Sequence, residues 1–392
     1  MHAFFVPTSR SQQKANIMPP QNNYATDTLF QGGHFASKFK ESPPLLALGT
    51  LQWGTTFVDH HIINGSRGVL SESEAFDIYS VFRSKGVVLF DTAEGYGGGT
   101  SEKRLGRLRQ KEPASADDKN AAIFMSKFLP SPWRYTHNHF ESALRASNER
   151  MGMTKAPIYF LHSPMHLFRS VEFWVEAAAS CKRKGLLDEL GLSNCSADEV
   201  RRAVAAGEKF GIPVIVNQVH FSLLDYNSSA LQEMQRCCDE LGVSIIAYNS
   251  LGQGLLTDNM DELKFSQNKP AKMMRIQWSE LNALREALRQ IADKHSASMA
   301  QVALNWCRSH NVIPLVGCRS KQQASDTLDA LDWDLLSHER DLLDSLALTR
   351  CTLDSPVWRR KLFVVLAGVV MSTCRLLDLL GLGVVKQASI GM

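Results

Sequence analysis

Three things are missing from this chain: charge of predominantly one sign, paired-cysteine motifs and a long uninterrupted apolar span. Its 392 residues carry 43 Lys and Arg against 40 Asp and Glu. No long segment is dominated by basic residues, so the electrostatic footprint of a nucleic-acid binder is absent, and DNA and RNA are set aside as partners. The eight cysteines, at positions 181, 195, 237, 238, 307, 318, 351 and 374, form no Cys-x-x-Cys and have no zinc-site spacing with histidine. That pattern argues for free thiols in a reducing compartment and for no bound metal. His60 beside His61, and His137 two before His139, lack carboxylate or cysteine company and read as loop histidines. Near the N-terminus the only apolar stretch is "AFFVP", too short for a secretory signal, so an intracellular location is expected.

What is present is the composition of an ordinary soluble protein, 44% hydrophobic and 21% charged. Apolar runs of strand length recur eight times, around 45–50, 87–90, 122–126, 158–161, 189–192, 214–217, 244–247 and 312–316. Runs with few polar interruptions are the mark of parallel strands buried on both faces. Between them lie stretches of helical period, such as "SESEAFDIYSVFRSKG", which opens on a Ser71/Glu74 capping box, and "SADEVRRAVAAGEKFG", which closes on glycine. Eight strand–helix repeats predict an α/β fold, a (β/α)8 TIM barrel over residues 43–350, with a leader at 1–42 and a hydrophobic tail at 351–392. A doubly wound open sheet is the competing arrangement, since periodicity alone cannot close a sheet. Residues 250–278 show no strand and read as a long loop after the seventh strand.

In a barrel, chemistry sits at the carboxyl ends of the strands. "VVLFDTAEGYGGGTSEKRLG" ends a buried run on Asp91 and places Tyr96 in the glycine-rich loop beyond. "AIFMSK" ends on Lys127 and "IYFLH" on His162, so a carboxylate, a phenol, an ammonium and an imidazole are expected at one mouth. A phenol titrates near pH ~10 in isolation, too high for an effective donor at neutral pH. An adjacent ammonium favours the phenolate, so Lys127 is expected to lower the Tyr96 value while Asp91 holds the lysine. Tyr96 is then a general acid, and His162 a hydrogen-bond donor to the same substrate oxygen. A carbonyl that receives hydride at carbon needs this proton at oxygen.

"FDTAEGYGGGTSEKRLG", "SKFLP", "YFLHSP", "LGLSNCS", "VNQVHFSLL", "IIAYNSLGQGLLT" and "IPLVGCRSKQQASDTLDAL" together resemble the successive signatures of the aldo-keto reductase family over about residues 45–348. "DTAEGYG" with "PSPWR" is most similar to the plant and algal plastid-type members. The resemblance implies an NADPH-dependent reductase of a small-molecule carbonyl compound on a barrel without a Rossmann fingerprint, and the chain has no strand-linked Gly-x-Gly-x-x-Gly. It implies a catalytic tetrad of Asp91, Tyr96, Lys127 and His162. Ser193, Asn194 and Gln218 match residues that hold the nicotinamide carboxamide, and Tyr248 the aromatic that stacks on the ring. Gly49 and Thr50 join the cofactor set. Asn249, Ser250, Leu251 and Gly254 match the pyrophosphate loop, and Gly317, Arg319, Gln323, Asp326 and Thr327 the segment that grips the adenosine 2'-phosphate and adenine. Arg319 suits a phosphate because its planar fork can bond two oxygens. The family usually has Ser-Pro at Asn249–Ser250 and an asparagine at Thr327, so the chain departs there. Trp53, Trp133 and Phe221, with Tyr226, are candidate walls of the substrate pocket.

The first 26 residues contain no acid, a composition shared by organelle transit peptides and disordered leaders, which leaves chloroplast and cytoplasm as the two expected locations. In the tail, ten nonpolar residues from Leu362 to Met371 are followed by Arg375 and Asp378, with Arg359, Arg360, Lys361 and Lys386 flanking. A span wants ~20 apolar residues, so membrane contact through residues 361–386 and docking against the barrel are both open. The alternative to an enzyme is a cofactor-binding, redox-sensing accessory subunit on the same barrel.

Overall fold

The computed structural model describes residues 45–54, 68–111, 121–164, 166–268, 271–272 and 275–350, together with five residues of the tail. The leader 1–42 and the His60–His61 pair lie outside the described residues. Eight parallel strands close into a barrel in sequence order: β1 (Ala47–Gly49), β2 (Leu89–Asp91), β3 (Ile123–Phe128), β4 (Ala156–Leu161), β5 (Leu187–Ser193), β6 (Val214–His220), β7 (Ser244–Tyr248) and β8 (Val312–Val316). Pairing of β1 with β8 through Ala47–Leu315 and Leu48–Val316 completes the ring, which removes the open-sheet alternative. All eight expected strands are present.

The outer helices are α1 (Glu72–Ser84), α2 (Thr100–Gln110), α3 (His137–Arg150), α4 (Val171–Arg183), α5 (Ala197–Phe210), α6 (Ser229–Leu241), α7 (Glu262–Gln267), α8 (Trp278–His295), α9 (Met299–Ser309), α10 (Lys321–Leu328) and α11 (Ser337–Leu346). The capping box of α1 forms in both directions, with the Ser71 amide donating to Glu74 Oε2 at 2.7 Å and the Glu74 amide to Ser71 Oγ at 3.2 Å. Residues 250–278 are more ordered than a plain loop, since they hold a 3-10 turn at Gly252–Gly254 and the short helix α7. None of the residues of α7 is fully buried, and its one inward contact, half-buried Phe265 against Trp278 at 5.2 Å, is too little to draw a helical period in the sequence. Arg285 of α8, itself buried, fastens this excursion by donating to the carbonyls of Leu255 at 2.7 Å and Thr257 at 2.8 Å.

Strand side chains alternate between the two faces, and that period decides what reaches the mouth. Ala47, Leu89, Ile123, Met125, Ile158, Phe160, Val216 and Ile246 form one cluster of buried residues, the filling of the barrel interior. Phe160 fits there because Gly191 opposite it has no side chain; a Cβ at 191 would stand 2.6 Å from the Phe160 ring. A larger apolar layer between strands and helices buries Trp174, Trp306 and Phe140 completely. The six cysteines among the described residues are all buried and free.

Candidate active site

Two residues beyond each interior layer, the same alternation delivers Gly49, Asp91, Lys127, His162, Ser193, Gln218 and Tyr248 to the inner rim of the barrel. The site is therefore the last inward-facing layer at the C-terminal end. Asp91 and Lys127 are buried at 1% and 0% exposure. Lys127 Nζ donates to Asp91 Oδ2 at 2.6 Å, to the Thr92 carbonyl at 2.8 Å and to Tyr96 Oη at 3.5 Å. An ammonium has three hydrogens, so each has an acceptor and the phenol is one of them. The other carboxylate oxygen, Asp91 Oδ1, accepts from Gln218 Nε2 at 2.9 Å. The rings of Tyr96 and His162 meet edge to face at 6.1 Å between centroids.

Burial pushes the Asp91 carboxyl up and the Lys127 ammonium down, and their mutual attraction opposes both shifts. The expected effect of Lys127 on Tyr96 is corrected by this geometry. Burial, then the negative charge of Asp91 and the neighbouring Tyr248, hold the Tyr96 phenol well above its ordinary value. The lysine's charge is committed to Asp91 at 2.6 Å, while the phenol oxygen stands off at 3.5 Å. Tyr96 is consequently a fully protonated phenol at neutral pH, a loaded donor. His162 is pushed down to about 3 by burial and by the positive charge of Lys127, so its imidazole is neutral and keeps one N–H to donate.

That last shift sets a pH dependence. A histidine whose value falls on folding binds fewer protons in the folded state than unfolded below about 6.5. Stability is expected to be intact above that point and to decline as pH falls from there toward about 3. Urea titrations across that window check it, and His162→Gln should flatten part of the slope.

The cofactor-side expectations resolve into three groups. Ser193 Oγ donates to the Gln218 carbonyl at 2.9 Å, Asn194 Nδ2 donates to Ser193 Oγ at 3.0 Å and to the His162 carbonyl at 3.1 Å, and Tyr248 Oη donates to Asn194 Oδ1 at 2.7 Å. These four rim residues are thus one hydrogen-bonded set, with the Tyr248 ring half-buried at the mouth. Thr50 Oγ1 donates to the Asp91 carbonyl at 2.8 Å, beside Gly49.

After β7, Asn249, Gly252, Gln253 and Gly254 all take positive φ, between 55° and 92°, in a tight turn where the Gly252 amide donates to the Asn249 carbonyl at 2.7 Å and the Gly254 amide to the Leu251 carbonyl at 3.0 Å. Where the expected proline is missing, the hydroxyl of buried Ser250 donates to the Ala247 carbonyl at 2.8 Å and holds the turn, next to Leu251. After β8, exposed Gly317 leads to Arg319, whose guanidinium donates to the Gly68 carbonyl at 2.8 Å and whose amide donates to Gln323 Oε1 at 2.9 Å. Asp326 is exposed and accepts from Gln322 at 2.7 Å, while half-buried Thr327 lies 3.8 Å from the Cys318 sulfur.

Two expected pocket walls are corrected. Trp53 and Phe221 are completely buried. Phe221 stacks on Trp306 at 5.3 Å and meets Tyr226 edge-on at 5.9 Å in the layer behind β6, and Trp53 packs into the apolar cluster around α1. Phe221 directly follows β6, one step from inward-facing His220, and with the alternation carried on it points outward into the core layer. Trp133, by contrast, is 43% exposed in the loop after β3.

Other residues of the site were not singled out from the sequence. Buried Glu94, between Asp91 and Tyr96, accepts from the Leu129 amide at 2.9 Å and forms a two-pronged ion pair with Arg134. This clamp ties the tyrosine's loop to the loop carrying Trp133. Buried Glu102 accepts from Ser126 Oγ at 2.6 Å and from Arg150 Nε at 2.5 Å, bracing β3 one residue before Lys127. His220 shares the inward parity of Gln218, binds Asp225 at 2.7 Å through Nδ1 and meets the Tyr248 ring edge-on at 5.4 Å. Only the period-2 spacing could have revealed it.

Comparison with known proteins matches the sequence model of the Aldo/keto reductase family to residues 45–347. The chain is 30% identical over 310 residues to the chloroplastic pyridoxal reductase of Arabidopsis thaliana, covering 77% of this chain and 82% of that one. It is 26% identical over 314 residues to the L-glyceraldehyde 3-phosphate reductase of Escherichia coli K12, covering 74% and 84%. Among solved structures, the glycerol dehydrogenase AKR11B4 of Gluconobacter oxydans superposes with a TM-score of 0.64 at 19% identity, covering 80% and 93%. The thermostable aldo-keto reductase Tm1743 with the inhibitor epalrestat gives 0.59 at 22% identity, covering 78% and 95%. At these identities the structural likeness concerns the fold.

Proposed function

Because the chain belongs to the aldo/keto reductase family, an oxidoreductase family, we propose that it reduces an aldehyde or ketone with NADPH, Tyr96 donating the proton. The observation that carries the reading is the ammonium of Lys127, which divides its three hydrogens between Asp91, the Thr92 carbonyl and the phenol at the rim of a closed barrel.

The rim fits a nicotinamide dinucleotide. Tyr248 offers an aromatic face fixed through Asn194, the glycine-containing turn with left-handed residues at 249 and 252–254 leaves room for phosphate oxygens, and Arg319 lies with Gln323 beyond β8. Bound NADPH supplies the hydride. The chain's own residues do the rest. Asp91 holds the ammonium, and the ammonium stabilises the phenolate that develops as the phenolic proton leaves. Neutral His162 donates its N–H to the carbonyl oxygen and orients it. Negative charge growing on that oxygen thus meets two donors already in place, the arrangement that lowers a barrier electrostatically. With the tetrad complete, turnover is favoured over an accessory role that binds cofactor alone.

Consumption of NADPH by the purified chain with a panel of carbonyl compounds, pyridoxal and glyceraldehyde phosphates among them, tests the proposal. No turnover with any member would refute it. Preference for the phosphorylated cofactor is assigned to Arg319. Arg319→Ala is expected to weaken NADPH binding by about 10- to 100-fold, the weight of a charge-assisted bidentate contact, and to leave NADH nearly unchanged. Fluorescence titration with both cofactors measures the ratio.

The acid-free first 26 residues, together with the chloroplastic name of the Arabidopsis relative, support a plastid location. Residues 1–42 fused to a fluorescent protein should then accumulate in plastids; uniform cytoplasmic signal would rule it out.

A further inference from the structure

Tyr96 stands in a loop whose own residues do little to fix it. Gly97, Gly98 and Gly99 follow it with φ of 58°, 61° and 98°, a left-handed run of the residue type with the widest backbone freedom. The backbone of Tyr96 bonds inside that loop, where its amide donates to the Ala93 carbonyl at 3.0 Å and its carbonyl accepts from the Thr100 amide. Thr92 Oγ1 donates to Ser101 Oγ at 2.9 Å and joins the two ends of the loop to each other. The bond from Lys127 to the phenol, at 3.5 Å, lies at the long end of the hydrogen-bond range and is too weak to fix the ring by itself.

Glu94, two residues before the tyrosine, pins the loop from outside. Its amide donates to the Lys127 carbonyl at 3.4 Å and its carboxylate accepts from the Leu129 amide at 2.9 Å. Both arms of the Arg134 guanidinium reach the same carboxylate. Nη1 also donates to the Leu129 carbonyl at 3.0 Å, and the planar group lies over the Phe128 ring, 4.2 Å from its centre. The Glu94 and Arg134 side chains are 1% and 11% exposed. Burying a charge this deeply is costly unless it is paired, and a two-pronged fork sets direction as well as charge.

The links continue around the rim. The Phe168 amide donates to His166 Nδ1 at 3.0 Å, which leaves the ring proton on Nε2, and Nε2 donates to the Ser131 carbonyl at 3.2 Å. Arg169 Nε donates to the Tyr135 carbonyl at 2.8 Å. The loop after β3 is therefore bonded on one side to the loop of Tyr96 and on the other to the loop after β4, which begins at His162. Tyr96 and His162, which address one carbonyl oxygen, are set relative to each other through the loop of Arg134 and not through the glycines.

We propose that Glu94 and Arg134 are positioning residues for proton delivery, holding the loop of Tyr96 against the loop after β3 so that the phenol stays in register with Lys127 and His162. The inference rests on the reductase reading above. Glu94→Gln keeps the size and the acceptor for Leu129 but removes the charge that Arg134 grips. It should lower kcat about 10- to 100-fold, the cost of misplacing a reacting group by roughly an ångström, and leave the dissociation constant for NADPH within about twofold of wild type. Arg134→Lys, which keeps the charge and loses the fork, should act in the same direction to a smaller degree. In a Tyr96→Phe background neither substitution should lower the residual rate further, since a residue that acts through the phenol is silent once its oxygen is gone. Additive losses in the double variants would make the pair merely structural and overturn the proposal. Hydrogen exchange of the Tyr96 and Gly98 amides, measured without substrate, should quicken about tenfold in Glu94→Gln while the strands stay protected. Unchanged exchange at those two amides would also overturn it. If the wild type turns over no carbonyl compound, the reductase reading fails, and the exchange measurement still decides whether the pair holds the loop.

Discussion

Tyr96→Phe is expected to lower kcat/KM for NADPH-dependent carbonyl reduction by roughly a hundred- to ten-thousandfold, the range general-acid catalysis contributes. The substitution removes one oxygen from a half-buried ring and leaves Lys127 with two of its three acceptors, Asp91 and the Thr92 carbonyl. Folding and cofactor affinity should therefore change little. The expected signature is a collapse of kcat with the dissociation constant for NADPH within about twofold of wild type. A fall confined to KM would mean that Tyr96 only helps to hold the substrate.

The second large effect concerns the buried pair. Lys127→Met strands Asp91 at 1% exposure with Gln218 as its remaining side-chain partner. Breaking a buried pair by removing one member costs about 3–5 kcal/mol, because the other charge stays unsolvated. The sign with pH follows from the same cause. In the variant, the Asp91 carboxyl titrates above its unfolded value, so the folded state takes up the proton first. The deficit is then small at acid pH and grows as pH rises through the raised value. Asp91→Asn/Lys127→Met removes both charges and should regain most of the stability while remaining inactive. Urea unfolding of the wild type and the two variants, read against turnover, separates the pair's structural share from its chemical one.

Much of the architecture could be read from residues alone because parallel strands are buried on both faces and announce themselves as apolar runs. β3, β4 and β5 were visible, though each runs longer than its apolar stretch: Lys127 at the end of β3 and Leu187–Asp188 at the start of β5 are strand residues that the apolar pattern leaves out. Three of the four proposed tetrad positions, Asp91, Lys127 and His162, could be named for the same reason, as polar side chains near the ends of apolar strands, and Tyr96 from the loop that follows the first. What could not be read was their balance. Burial of the phenol first, and then the charge of Asp91, raise Tyr96 where a lowering was expected, and neither the depth of burial nor the 2.6 Å commitment of Lys127 to Asp91 can be read from sequence. Phe221 and Trp53 misled because an aromatic near a strand end faces either the mouth or the outer layer, and one step of register decides which. Glu94 and Arg134 lie 40 positions apart, so their clamp is a product of tertiary folding that no local spacing encodes.

The central claim is that this barrel transfers a hydride to a carbonyl carbon and does not merely hold the cofactor. Incubation with NADPH deuterated at the transferring position of the nicotinamide, followed by mass spectrometry of the alcohol, tests it most directly. The account predicts one deuterium on the carbinol carbon for every cofactor oxidised. Cofactor that stays bound and reduced in the presence of the whole carbonyl panel, or alcohol without the label, would contradict it.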